Sequence, residues 1–410
     1  MPDRWYRALA GAAAAYLALV PSNALSFWRS TFFGVAVLAA LVVGARAMRA
    51  GRLGPAPAPV LVWAFAGWAL WSCASALWSV DGAQTASALR GDLLASVLTF
   101  AICYVTSAAR PEGPRLLAGA LVAGLGFWAA LAAGLAISPH GWDPRVAHWA
   151  PGVYTTWLVT VVPLLLLLLW PAPAGFHDGP RATAVAALVF ALAIATARFA
   201  DARAVWVALS ASLAIGAACA VGAGARLRAL PVGIALVAVA LFAVLLADAA
   251  VEKAETVYPA GTTVADTVAV DPRPQIWRGA LAAAAERPLT GHGFGLQILA
   301  DRMSRVSSDP RITHAHNLFL GQLVQTGAVG LALFVATIAA LAWRYWRLVR
   351  AGDVVLARLG ALGLMSVTGF VVRNLTDDFF LRANAKLLFA VQGILLGAAA
   401  LRQRALAGKT

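Results

Sequence analysis

The 410 residues are 61% hydrophobic and 12% charged, with mean hydropathy +0.78. Soluble domains are roughly one quarter charged, so a soluble globular chain is excluded. The formal charge of +14 comes from 29 arginines and three lysines against 18 acids; in a membrane chain the positive-inside bias supplies such an excess, so it does not point to nucleic acid.

Apolar runs of bilayer-crossing length recur along the chain and predict an all-α polytopic membrane protein of about 12 transmembrane helices. The first spans fall at about 8–25, 31–47, 60–78, 86–107 and 116–137. The first run leads straight into more apolar sequence, so no cleavable signal peptide is expected. A Trp- and His-containing loop, SPHGWDPRVAHWAPG, precedes a span at about 153–170. Further spans follow at about 182–196, 205–221 and 231–247, then a long hydrophilic segment to residue 316. The last three spans are read at about 317–343, 359–372 and 387–401. Three units result: residues 1–247 with nine spans, a large loop over 248–316, and residues 317–410 with three spans and a tail. Cys73, Cys103 and Cys219 all lie in apolar runs, so neither a disulfide framework nor a thiolate metal site is indicated.

An even number of spans puts both termini on one side. That side holds 17 of the 32 Lys and Arg, the opposite short loops hold eight, and the long loop seven. Long loops weigh little in the bias, so the termini are expected in the cytoplasm and the long loop outside. In a bacterium that is the periplasm, with the chain in the inner membrane.

Five of the six histidines fall on the outward side: His140, His148, His292, His314 and His316. Arginines that orientation leaves unexplained gather there too, namely Arg145, Arg198, Arg203, Arg273, Arg278, Arg373 and Arg382. Guanidinium grips phosphate oxygens in a forked geometry, and charge at a bilayer is costly unless it serves a pathway or site. This predicts a phosphate-bearing ligand at the outer leaflet. Arg273 opens a segment whose Ile276, Trp277, Ala280, Leu281 and Ala284 share a side, an amphipathic helix expected in the interface plane. Pro288 ends it, and TGHGFG follows as a turn that His292 would support rather than react from. Asp377 and Asp378 are expected to pair with Arg373 and Arg382. His-Ala-His is a weak zinc signal with no further ligand near it in sequence, and the outward face is richer in arginine than in acid. Arginine neutralisation is therefore expected, with no metal and no cofactor.

The stretch with the most chemistry is Thr313–Gly330, THAHNLFLGQLVQTGAVG. Thr313 is read as a helix cap. On one ideal helix His316 and Gly327 would then share a face, with an imidazole at the watery end and glycines deeper, where a backbone or lipid tail approaches closely.

His316-Asn317, nine residues, then Gly327-Ala328-Val329-Gly330 resembles the H-N-x9-G-x-x-G signature of the O-antigen ligases. Arg203 with Trp206 resembles the span-start arginine of that superfamily. RPQIWRGALAAAAERPLTGHGFG resembles the R-x-x-I-W…P-L-x-G-x-G segment of its large periplasmic loop. The likeness covers about 182–401. It implies a GT-C-like membrane fold and an inverting, metal-independent glycosyltransferase. Such an enzyme moves O-antigen polysaccharide from undecaprenyl diphosphate to the lipid A–core acceptor, with membrane lipids around it. By the same likeness His316 is the base, Arg203 and Arg273 hold the diphosphate, and Asn317, Gly327, Gly330 and Arg382 support the site. The extra His314 leaves two candidates for the base, and Arg198 competes with Arg203. An O-antigen polymerase and a protein O-oligosaccharyltransferase share the pattern. A lipid-linked polysaccharide transporter would instead show internal repeats and broken helices in both halves.

Overall fold

The computed structural model describes residues 3–21, 25–51, 58–136, 151–169, 180–199, 204–222, 272–306 and 312–408. The span expected at 231–247, the loop residues His140, Arg145 and His148, and Arg203 lie outside them. So does the side chain of Arg198.

The described residues form helices joined by turns, with no strand among them. In order the helices are α1 (Asp3–Leu19), α2 (Ser26–Arg49), α3 (Pro59–Ala74), α4 (Gly82–Ala109), α5 (Glu112–Ala136), α6 (Pro151–Leu169), α7 (Pro180–Phe199) and α8 (Ala204–Gly222). After the long hydrophilic segment come α9 (Arg273–Glu286), the short α10 (Ala300–Met303), α11 (Leu318–Val349), α12 (Val354–Arg373) and α13 (Arg382–Ala407). Seven of them, α2 to α5 and α11 to α13, are long and apolar enough to cross a membrane. Shorter apolar stretches lie within α6, α7 and α8. The chain is thus an all-α polytopic membrane protein.

Burial grades the helices. The apolar window of α13 is 83% buried and that of α3 only 22%, so α13 runs through the middle and α3 at the rim. Small residues explain how α13 gets in. Gly393 and Gly397 lie one turn apart, and a Cβ at either would come within 2.6–2.7 Å of the α4 carbonyls of Phe100 and Tyr104. Without a hydrophobic drive between helices in lipid, such close backbone contact is what holds them together.

Helix α11 is broken. Gly327 has φ +69 and ψ −174, a conformation essentially reserved for glycine. A break inside an apolar helix frees backbone groups that lipid cannot satisfy. Here the 288–293 turn satisfies them. Ala328 N–H donates to Pro288 O (2.8 Å), while Val324 O and Gln325 O accept from His292 N–H (3.0 Å) and Gly293 N–H (2.9 Å). Thr326 O accepts from the Trp71 indole at 2.9 Å. The TGHGFG turn is therefore built into the break. His292 is buried in it, donating to Ala283 O at 3.0 Å, in keeping with a supporting rather than reacting histidine.

Candidate active site

Three segments meet at the start of α11. The first is 312–317, leading into that helix. Asn317, not Thr313, is the cap: its Oδ1 accepts from Phe319 N–H and Leu320 N–H, both at 3.0 Å. His316 lies outside the helix, with φ +48. The shared face expected of His316 and Gly327 therefore does not form, because the helix starts after one and breaks at the other. Gly327 still serves close approach, since a Cβ there would overlap the Leu289 carbonyl. At Gly330 the neighbours are the side chains of Thr326 and Trp71.

The second segment is the turn 374–381 between α12 and α13. Asn317 ties it down, donating from Nδ2 to Leu375 O at 2.8 Å, while Leu318 N–H donates to Asn374 O at 2.9 Å. Below, Phe380 enters an aromatic cluster in which Trp68, Phe294 and Phe334 also pack. The third segment is the start of α9. Arg273 Nε donates to Thr376 O at 3.0 Å, so this arginine is fastened to the same turn. The buried face of α9 is Ile276, Ala280, Ala283 and Ala284, packed on α10, α11 and residues 312–315. Leu281, expected on that face, is half exposed, because the buried stripe drifts toward Ala283.

These constraints bring both histidines onto one carboxylate. His316 Nδ1 is 3.0 Å from Asp377 Oδ1, and His314 Nε2 is 3.4 Å from the same oxygen. The two imidazoles stack, centroids 4.0 Å apart and 22° from parallel. His316 Nε2 is buried and has no hydrogen-bond partner among the described residues. The left-handed backbone at His316 costs of order 1–3 kcal/mol and persists only where surroundings impose it. Here it aims the ring at Asp377.

The expected pairing of Asp377 and Asp378 with Arg373 and Arg382 is corrected. Asp377 takes the histidines, and Arg373 acts on it as a neighbouring charge. Arg373 is itself buried, donating to Thr155 Oγ1 (3.3 Å) and lying 5.0 Å over the Phe379 ring, so it does not reach out to headgroups. Arg382, also left-handed at φ +45, meets Asp92 through its backbone N–H at 2.6 Å. Asp92 sits on a π-helical turn of α4, Leu89–Leu94. Arg278 is exposed, its Nε folded back onto Pro274 O at 3.2 Å.

Burial would raise the Asp377 carboxyl. Hydrogen bonds from His314 and His316, with the charges of His316 and Arg373, outweigh it and hold Asp377 well below the ordinary carboxylate range. Burial pushes His314 down, toward the neutral imidazole, against its bond to Asp377. Asp378 is different. Wholly buried, with Oδ1 accepting from Phe380 N–H and Oδ2 without a partner among the described residues, it is pushed up by burial, and further by Asp377 and Asp92, to about 8. Two adjacent aspartates thus hold opposite states at neutral pH.

The O-antigen ligase family model matches residues 188–335. The likeness to the O-antigen ligase family is thus shown for that segment, 148 of the 410 residues. No curated protein matches the chain. The matched segment includes His314, His316, Gly327, Gly330 and Arg273, and stops short of Asp377 and Arg382. Members of that family are glycosyltransferase-like enzymes. Asp377 was not singled out from sequence as a partner of the histidines. The available signal was an acidic pair in a turn between two late spans, facing a polar helix start. What His-Ala-His lacks in sequence, a third ligand-type group, the fold supplies with Asp377.

Proposed function

We propose that the chain is an O-antigen ligase. It transfers O-antigen polysaccharide from undecaprenyl diphosphate to lipid A–core at the periplasmic face of the inner membrane. The observation that carries this reading is the Asp377–His316 pair: a proton on Nδ1, given to Asp377, leaves the unpartnered Nε2 with its lone pair. That nitrogen is the base. A positioned general base contributes about 10²–10⁴ in rate.

In the step, the acceptor hydroxyl oxygen attacks the anomeric carbon of the donor. Its proton passes to His316 Nε2. The bond from that carbon to the diphosphate oxygen breaks, with inversion, and undecaprenyl diphosphate leaves. Its developing charge needs stabilising, and guanidinium groups supply that without a metal. Arg273 is the arginine that the geometry supports best, because it is bonded to the turn that carries Asp377. Arg203, with Arg198 as the competing choice, holds the diphosphate by family likeness. His314, stacked on His316, supports the base, and Asn317 and Arg382 fix the segments on either side. The site faces the periplasm, and the termini are cytoplasmic.

The test is genetic. In a strain lacking its own ligase, His316→Ala should abolish capped lipopolysaccharide while the protein still inserts. A near-normal ladder on a gel would end this reading. Single-unit caps after loss of the wild-type gene would reassign the chain to polymerase, and glycosylated periplasmic protein to an oligosaccharyltransferase.

A further inference from the structure

We propose that His314, His316 and Asp377 form a reversible, inhibitory site for a borderline divalent cation, with Zn²⁺ the best fit. The inference rests on the reading of His316 as the base, and adds a control to it.

The three groups offer ligand atoms that all lie within 4.8 Å of one another. A tetrahedral zinc with bonds of about 2.0–2.1 Å sets donor–donor edges of roughly 3.3 Å. The two edges to Asp377 Oδ1 measure 3.0 and 3.4 Å, close to that value, and an ion would enter as the stacked rings turn to bring both nitrogen lone pairs onto it. Two imidazoles and one carboxylate are the donor set of an open zinc site, with water as the fourth ligand. The same set selects against Mg²⁺ and Ca²⁺, which want oxygen.

The donors are also held before any ion arrives. Asp377 Oδ1 accepts from Asp378 N–H at 2.9 Å, and its turn is fastened by Asn317 and Arg273. Such supporting bonds decide whether three side chains make a site or only a cluster. Arg373 and Arg273 add positive charge nearby, which opposes the cation. Occupancy is therefore reversible rather than permanent.

Metal on His316 Nδ1 takes the place of the proton given to Asp377. The ring's single N–H proton then sits on Nε2 instead of Nδ1, and the lone pair that would accept the acceptor's proton is gone. Cation binding and transfer exclude each other.

The experiment uses full-length protein purified in detergent without a histidine tag and stripped with chelator. Co²⁺ serves as the absorbing probe and Zn²⁺ competes it off. The expected result is one Co²⁺ per chain, with no thiolate charge-transfer band, and binding weakened at least tenfold in His314→Gln and, separately, in Asp377→Asn. Size-exclusion profiles identify a variant that fails to fold, and the other variant then decides. Zinc should suppress transfer over the concentrations that displace Co²⁺, and chelator should restore it. No Co²⁺ bound to wild type, binding unchanged in both variants, or transfer that needs zinc would overturn the proposal. Cation binding by wild type that transfers nothing in chelator would sink the functional reading and the inhibition together, and leave the ion site standing.

Discussion

His316 Nδ1 lies 3.0 Å from Asp377 Oδ1, although all of α11 and α12 separates the two in sequence. The contact joins the turn before α11 to the turn after α12. It engages Nδ1 and leaves Nε2 as the ring nitrogen without a partner among the described residues.

Asp377→Asn tests that role. The amide keeps the shape but can present its NH₂ to the ring, favouring the wrong tautomer. On the functional reading kcat should fall about ten- to hundredfold, a part of what a general base contributes, with KM little changed. Steady-state transfer assays on purified protein measure both. An unchanged kcat would remove Asp377 from the mechanism.

Asp378 makes a pH-dependent contribution to stability. Its folded pKa is raised from 3.8 to about 8. Between those values the folded state binds a proton that the unfolded state has released. The contribution is therefore full below about pH 4, declines as pH rises, and is lost once pH passes about 8. Asp378→Asn should flatten the fall in detergent melting temperature between pH 5 and pH 8 (both set by the span of this window). Asp377, held low, acts in the opposite direction and costs stability only as pH drops below its ordinary range. Parallel melting curves for wild type and Asp378→Asn would contradict the assignment.

The two glycines of the family motif should differ. Gly327→Ala places a Cβ at φ +69 against the Leu289 backbone, which cannot yield. The backbone term alone is about 1–3 kcal/mol, and the overlap adds to it. Gly330→Ala crowds Thr326 Cβ and the Trp71 ring, but carries no positive-φ cost and meets no backbone carbonyl. Thermal unfolding in detergent should rank Gly327→Ala as clearly the worse; equal losses would mean that the break is not held as described.

Asn317 does two jobs that substitution separates. Asn317→Asp keeps the cap oxygen and loses the donor to Leu375 O. Asn317→Ala loses both, and the cap alone is worth about 1 kcal/mol. Hydrogen exchange at Phe319 and Leu320 should quicken in the Ala variant and not in the Asp variant.

Much of the architecture was legible because membrane spans are read from apolar length. The run read at 317–343 is α11, and the run at 359–372 lies inside α12. The break at Gly327 was not legible. A helix-period pattern continues through it, and only the backbone partners offered by Pro288, His292 and Gly293 make it affordable. His316 and Arg273 could be picked out by residue type and motif. The link from His316 to Asp377 could not, since it depends on how two turns dock, and spacing along the chain says nothing about that. Arg373 read as an outward arginine paired with the aspartates; its burial follows from Thr155 and Phe379, which meet it only in the fold.

The central claim is that His316 takes the proton from the acceptor hydroxyl without a metal. The most direct measurement is transfer in vitro by purified wild-type and His316→Ala protein, with lipid-linked donor and lipid A–core acceptor, in excess chelator. The account predicts product with wild type and a loss of at least about 10²-fold with the variant. Equal product from both proteins, or none from wild type until metal is returned, would contradict it.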